Sequence, residues 1–226
     1  MKNYLVSLFL FFLFGTQLFY GQERITVKAG EDINQVLSTG RYLFPEFQKA
    51  RVFLQNETLE ANMNYNALSG QMEFLTSSGD ILELETKVLA VVFPDHYFKK
   101  TSIGYLEILA DDPNFELLVH QKYLGGDIKK QGAYGSTSST TAIDNISYIN
   151  VESRLTSLSL AQEITYNKKN TYYLGSEGKY RIANKSSFSK LFGKLNPDMR
   201  QYLKNTPVNF SKEEDLIRLF IFCTRQ

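Results

Sequence analysis

Thr58-Leu59-Glu60-Ala61-Asn62-Met63-Asn64-Tyr65-Asn66 is the stretch that decides the fold. Leu59, Ala61, Met63 and Tyr65 alternate with Thr58, Glu60, Asn62, Asn64 and Asn66. A period of two sends the two sets to opposite sides of an extended chain, so the spacing predicts a β-strand with one buried face and one wet face.

The pattern continues on both sides. Arg51–Leu54 predicts a preceding strand, with Asn56-Glu57 where a tight turn belongs. Ala67-Leu68-Ser69-Gly70 has hairpin-loop length and leads into Met72–Leu75. Ser77-Ser78-Gly79-Asp80 predicts another turn, followed by Ile81–Leu84 and Val88–Phe93. Ile103–Leu109 and Phe115–Leu124 extend the series across Asp111-Asp112-Pro113-Asn114. Short strands on short polar turns predict an antiparallel meander over roughly residues 41–124, curled into a half-barrel or a sandwich. Upstream, Ile25–Val27 reads as an edge strand and Glu31–Leu37 as one or two helical turns.

Composition changes at Gly125. The stretch 125–145 is rich in Gly, Ser and Thr and buries too little apolar area to offset its ordering entropy, so a flexible loop is expected there. Ile146–Val151 and Leu155–Ile164 alternate weakly. Thr171–Leu174 and Lys179–Ala183 flank Gly175-Ser176-Glu177-Gly178, a hairpin signal. The period then becomes helical. Phe188, Leu191, Phe192 and Leu195 form one stripe; Asn196-Pro197-Asp198 predicts a capped helix start before Met199, Tyr202 and Leu203. Pro207 closes that helix, and Ser211-Lys212-Glu213-Glu214 reads as a capping box opening a last helix through Cys223. The expected fold class is α+β: a meander, a Gly/Ser/Thr loop, a hairpin and a three-helix C-terminal cap. The expected divisions are a signal peptide at 1–21, a β-rich region at 22–124, the loop at 125–145, and a hairpin with helical cap at 146–226 packed on the β region.

The signal reading rests on Lys2, an apolar run over Leu5–Phe14 broken only by Ser7, and Gly21 before the polar Gln22. A retained anchor is its rival, but the run falls short of the roughly 20 apolar residues that span a bilayer. No Cys lies near this end for lipid attachment. The expected address is therefore outside the cytoplasm: periplasm, peripheral outer membrane or extracellular space.

Composition narrows the chemistry. The 226 residues hold 25 Lys+Arg against 24 Asp+Glu, and losing Lys2 with the signal leaves the mature chain formally neutral. Nucleic-acid binding needs a net positive surface and is disfavoured. The lone Cys223 closes no internal disulfide. Leu216, Leu219, Phe220 and Cys223 share one helical face, which predicts a buried structural thiol rather than a reactive one.

The candidate site residues are few. The only histidines are His96 and His120, with no metal-ligand spacing between them. Glu73, Asp80, Glu83 and Glu85 offer carboxylates for acid–base work, yet the wet face of a meander accounts for them equally. Asp111-Asp112 has too few spaced oxygens for calcium and reads as turn chemistry. Lys185, Lys190, Lys194, Arg200 and Lys204 make the first two cap helices basic, which reads as a solvated face. No catalytic, cofactor-binding or metal-binding residue is assigned, and no cofactor is expected.

Arg41-Tyr42-Leu43-Phe44-Pro45-Glu46-Phe47, Asn64-Tyr65-Asn66, Met72-Glu73-Phe74, Ala133-Tyr134-Gly135-Ser136-Thr137-Ser138 and the helical end at Phe188–Phe192 and Ser211–Phe222 together resemble a group of uncharacterised exported proteins of Bacteroidota. The resemblance covers most of the mature chain. It implies an envelope or secreted protein and carries no reaction. The functional expectation is a non-catalytic binding module of the cell envelope, its partner an unidentified envelope protein or surface ligand. The alternatives are a secreted hydrolase that combines the meander carboxylates with His96 or His120, and a peripheral component of an outer-membrane assembly.

Overall fold

The structure is a computed structural model that describes residues 24–84, 87–125, 128–131, 137–140 and 163–225. The signal segment, Glu85, Ile146–Val151 and Leu155–Gln162 lie outside the described residues.

The elements in chain order are β1 (Arg24–Val27), α1 (Ile33–Gly40), β2 (Gln48–Leu54), β3 (Thr58–Asn66), β4 (Gln71–Leu75), β5 (Ile81–Glu83), β6 (Val88–Val92), β7 (Tyr97–Lys100), β8 (Tyr105–Asp112), β9 (Phe115–Leu124), β10 (Ile128–Gln131), β11 (Thr137–Thr140), β12 (Glu163–Ser176), β13 (Lys179–Ile182), α2 (Lys185–Phe192), α3 (Met199–Asn205) and α4 (Glu213–Thr224). The strands make one antiparallel sheet in the order β11-β10-β12-β9-β8-β7-β6-β2-β3-β4-β5, with β1 and β13 also paired to β12. The meander therefore has two wings. β2 to β5 run outward on one side, and β6 returns to the other edge of β2 before β7, β8 and β9 run outward in turn.

The sheet curls until the wings touch. The Ala67 carbonyl accepts from Tyr123 N–H at 2.8 Å, and the Tyr65 hydroxyl donates to the Gln121 carbonyl at 2.8 Å. Tyr65 also stacks on Phe98 with ring centroids 5.3 Å apart. Lys100 Nζ reaches Gln71 Oε1 at 3.3 Å. The His120 ring fills the gap at this closure. Its Nε2 lies 3.7 Å from where a Cβ on either Gly70 or Gly104 would stand. Both glycines have positive φ, a conformation that costs glycine nothing, so the turns can approach the ring.

Two apolar cores result. The first fills the curl with Met63, Tyr65, Met72, Phe93 and Phe98, and is joined by Val27 and Tyr166. The second lies under α2, α3 and α4, with Phe188, Phe192, Leu216, Leu219 and Phe220 against Leu117, Val119 and Leu174. Strand β9 serves both, because Leu117 and Val119 belong to the helical core and Tyr123 to the curl. Helices α2 and α3 have 8 and 7 residues, too short to persist in water without this packing.

Several local expectations are met. The β12–β13 hairpin turns on Glu177 and Gly178, both at positive φ, as a tight hairpin of the right twist requires. The α2 stripe forms its helix, and the sequence reading did not foresee its cap, Asn184, which accepts from Ser187 N–H at 2.9 Å. Cys223 is buried on the α4 face beside Leu219 and Phe220, and burial pushes its thiol up to about 12.

Others are corrected. The Ser211 capping box does not form: α4 begins at Glu213 without a side-chain cap bond from Lys212. Asn209 Oδ1 instead takes Ser211 N–H at 2.9 Å, and Asp215 Oδ2 reaches back to Asn209 N–H at 2.8 Å. The turn ahead of the helix thus takes the Ser211 N–H that a capping box would have offered to Glu214. Part of the expected Gly/Ser/Thr loop is ordered as the β10–β11 hairpin, with Ile128 paired to Thr140 and Gln131 to Thr137. Thr suits an extended chain, and the β10–β12 ladder gives the hairpin a sheet to join.

The wet face of β3 is also corrected, since Asn64 and Asn66 are buried. The chain on the β2 side carries extra residues. Tyr42 bridges Asn66 while Gln48 pairs with Met63, so six steps oppose three. Asn64 holds the excess: its Oδ1 takes Phe44 N–H at 3.1 Å and Tyr65 N–H at 2.9 Å, and its Nδ2 donates to the carbonyls of Phe44 at 2.9 Å and Glu46 at 3.2 Å. One amide thereby satisfies backbone groups that a regular ladder would have paired.

Candidate functional site

Three polar places are candidates for a site: the carboxylates read from sequence, a cluster on β8, and a cleft in the helical cap.

The sequence carboxylates do not gather. Asp80 sits exposed in the β4–β5 turn, where it accepts from Ser78 Oγ at 2.6 Å. Glu83 lies on the edge strand β5, and Glu85 lies outside the described residues. Glu73 is not on a wet face; it is 2 % exposed. Its Oε2 takes the Tyr42 hydroxyl at 2.6 Å and its Oε1 takes Asn66 Nδ2 at 2.6 Å. Arg41 stands 3.9 Å from Oε2, donates to the Tyr42 oxygen at 2.8 Å and lies over the Tyr42 ring. Burial, then the bond to Glu73, pushes the Tyr42 phenol well above its ordinary value. The group ties the entry to β2 onto β3 and β4, and both carboxylate oxygens are occupied.

The two histidines also stay apart. His120 is the ring between Gly70 and Gly104, and burial followed by the neighbouring Lys122 lowers its proton affinity. His96 follows the β6 end, packed against Phe44 and Phe98. Its Nδ1 bonds Glu107 Oε1, and Gln121 Nε2 donates to Glu107 Oε2 at 2.5 Å. Glu107 was missed from sequence; the sign was an acid inside the apolar run Tyr105–Leu109. The bond to Glu107 raises His96 above its ordinary value, although burial works the other way. Glu213, the first residue of α4, feels the same cluster. Burial raises its carboxyl, and the charge of Glu107 adds to the rise. The cluster sits on the seam between the cores, because Gln121 falls between Val119 and Tyr123 on one face of β9. It has the histidine–carboxylate contact of a general base. Among the described residues, no hydroxyl or thiol is hydrogen-bonded to His96.

Asp112 Oδ1 accepts from Asn114 N–H at 3.2 Å, the ordinary turn chemistry expected there. Among the described residues, no group of three or more His, Cys, Asp or Glu side chains is arranged to hold a metal. Nor is any described helix long and apolar enough to cross a membrane.

The third place is an open cleft of about 710 Å³ between the start of α3 and the end of α4. Asn196, Pro197, Asp198 and Tyr202 form one wall, and Arg218, Ile221, Phe222 and Arg225 the other. Asn196 builds the corner: its Nδ2 donates to the Phe222 carbonyl at 3.0 Å and its Oδ1 takes Asp198 N–H at 3.1 Å. Tyr202 and Phe222 stack across the cleft, centroids 4.2 Å apart and planes 24° apart. Arg218 is exposed and pairs with Asp215 one turn back. A volume of this size has room for a small ligand or a few residues of a peptide. Sequence reading missed it because its residues come from two helices; the i, i+7 spacing of Arg218 and Arg225 was the visible sign.

No family model, curated protein or solved structure matches the chain.

Proposed function

We propose that the protein is a non-catalytic binding module of the bacterial cell envelope, exported by its N-terminal signal and belonging with the exported Bacteroidota proteins it resembles. The observation that carries this reading is the cap cleft, an open surface with an aromatic wall and two arginines. The buried carboxylates support it, because internal donors occupy both oxygens of Glu73 and of Glu107. Such groups stiffen a scaffold and are poorly placed to exchange protons with a substrate. Cross-linking on intact cells, followed by envelope fractionation, tests the reading. A reproducible partner is expected; a monomer without one overturns it.

The His96–Glu107 contact favours a second reading, a hydrolase. A screen over ester, peptide and glycan substrates decides. Activity lost in His96→Ala with the fold intact would replace the binding reading. A third reading, peripheral attachment to an outer-membrane assembly, predicts that high salt strips the protein from membranes.

A further inference from the structure

We infer that the cleft between α3 and α4 binds an extended acidic peptide segment of a protein partner, with two acids three residues apart and an apolar residue between them. The inference rests on the binding reading and names the chemistry of its ligand.

Arg218 and Arg225 lie seven positions apart along α4 and its C-cap, a separation of about 10 Å at the helical rise per residue. Ile221 and Phe222 lie between them on the same wall. A polyproline-type chain advances about 3.1 Å per residue and turns once in three. Acids at i and i+3 on such a chain project from the same side about 9 Å apart, close to the spacing of the two arginines along the backbone. The residues between them project about 120° to either side of that line, which brings one of them toward Pro197 and Tyr202 on the opposite wall. Asp198, on the opposite wall, is placed to accept a peptide N–H, which a phosphate or a free carboxylate cannot offer.

Charge complementarity extends beyond the cleft. From Lys185 to Lys204 the cap carries Lys185, Lys190, Lys194, Arg200 and Lys204 against the single acid Asp198, while the whole chain is close to neutral. The five basic side chains are exposed, so an acidic partner is steered to this end of the molecule. Arg218 is already engaged by Asp215, but that pair is an exposed i, i+3 contact and exchanges readily for a carboxylate in the cleft.

The test uses the mature chain and a fluorescein-labelled peptide, acetyl-Gly-Glu-Leu-Pro-Glu-Gly-amide, followed by anisotropy. Saturable binding is expected, weakened about tenfold when either Glu is replaced by Gln and about tenfold by Arg225→Glu or Arg218→Glu. Arg225→Lys, which keeps the charge, should retain most of it. Thermal unfolding of each variant checks the fold. Equal binding of the Gln peptide, indifference to both arginine substitutions, or full displacement by millimolar inorganic phosphate overturns the inference. So does self-association that Arg225→Glu abolishes while the peptide fails to bind, since the occupant is then a second copy. If the peptide fails but the cross-linked envelope partner persists in the Arg218→Glu/Arg225→Glu variant, the cleft is wrong and the binding reading stands. If no partner cross-links to the wild type either, the binding reading itself falls.

Discussion

Glu73 and Glu107 are both buried acids on one curled sheet, yet they are built differently. Glu73 is held by neutral donors, Tyr42 and Asn66, with Arg41 behind them. Glu107 is held by an amide, Gln121, and by an imidazole, His96, whose proton affinity that bond raises above its ordinary value. The first lies between the strands of one wing and the chain that enters β2. The second lies on the seam between the two cores, with the N-terminus of α4 above it. Internal polar groups fix a fold in both cases, but only the second changes its donor with pH.

The largest expected effect is at Glu73. Glu73→Ala strands the buried Asn66 amide and removes the acceptor of the half-buried Tyr42 hydroxyl and the partner of Arg41. A loss of about 3 kcal/mol is expected, as for breaking a buried charged network from one side. Urea unfolding measures it. Glu73→Gln, which keeps the shape and one acceptor, should cost less than half as much. Equal costs for the two would mean that the charge on Glu73, and not its bonding, holds the wing. Asn64→Ala belongs to the same class, since four bonds to the β2 entry are lost, and about 2–3 kcal/mol is expected.

This pair also shows where sequence reading stops. The apolar half of Thr58–Asn66 is legible only at its second end: Met63 and Tyr65 face the core at the strand period, while Ala61 is half-buried and Leu59 is exposed, contrary to the alternation. The polar half is not, because Asn64 is buried by a bulge whose extra residues leave no periodic mark. The same holds for the β6 return to β2. Strand positions are written in local alternation, while the choice of partner edge depends on how far the sheet curls. The cap helices were readable from their stripes, but the cleft between α3 and α4 depends on how two helices meet. Asn196 looked like a cap in sequence, but α3 begins only at Met199, with no side-chain cap bond from Asp198; Asn196 takes Asp198 N–H in the turn before it and donates to the Phe222 carbonyl, a contact between residues far apart in the chain.

At the seam, a smaller effect is expected. Glu107→Gln keeps an acceptor for Gln121 but loses the ionic partner of His96, whose side chain is 37 % exposed. Solvent screening limits the loss to about 1 kcal/mol. Gln121→Ala should cost about as much, because it leaves one Glu107 oxygen without its donor. If either exceeds the cost of Glu73→Ala, the seam is the stiffer of the two acids and the comparison reverses.

The smallest effect is also the most specific, because it separates the two acids by pH alone. His96 is raised in the folded chain, chiefly by its bond to Glu107, so its contribution to stability is complete below its unfolded value of about 6.5 and is lost as the pH climbs through the higher folded value. Glu213 is raised as well, by burial and then by Glu107, so its contribution also falls as pH rises, in the carboxylate range below that of His96. Asp95 adds a third negative neighbour to His96, which acts in the same direction. The unfolding free energy should therefore fall by about 0.5 kcal/mol between mildly acid and mildly alkaline pH, a size set by the exposure of the imidazole. His96→Ala should flatten the upper step and leave the lower one, and Glu213→Gln should do the reverse. In Glu73→Gln both steps should persist, because no histidine is among the partners of Glu73. Were the upper step to vanish in Glu73→Gln and survive in His96→Ala, the titrating seam would have been assigned to the wrong acid.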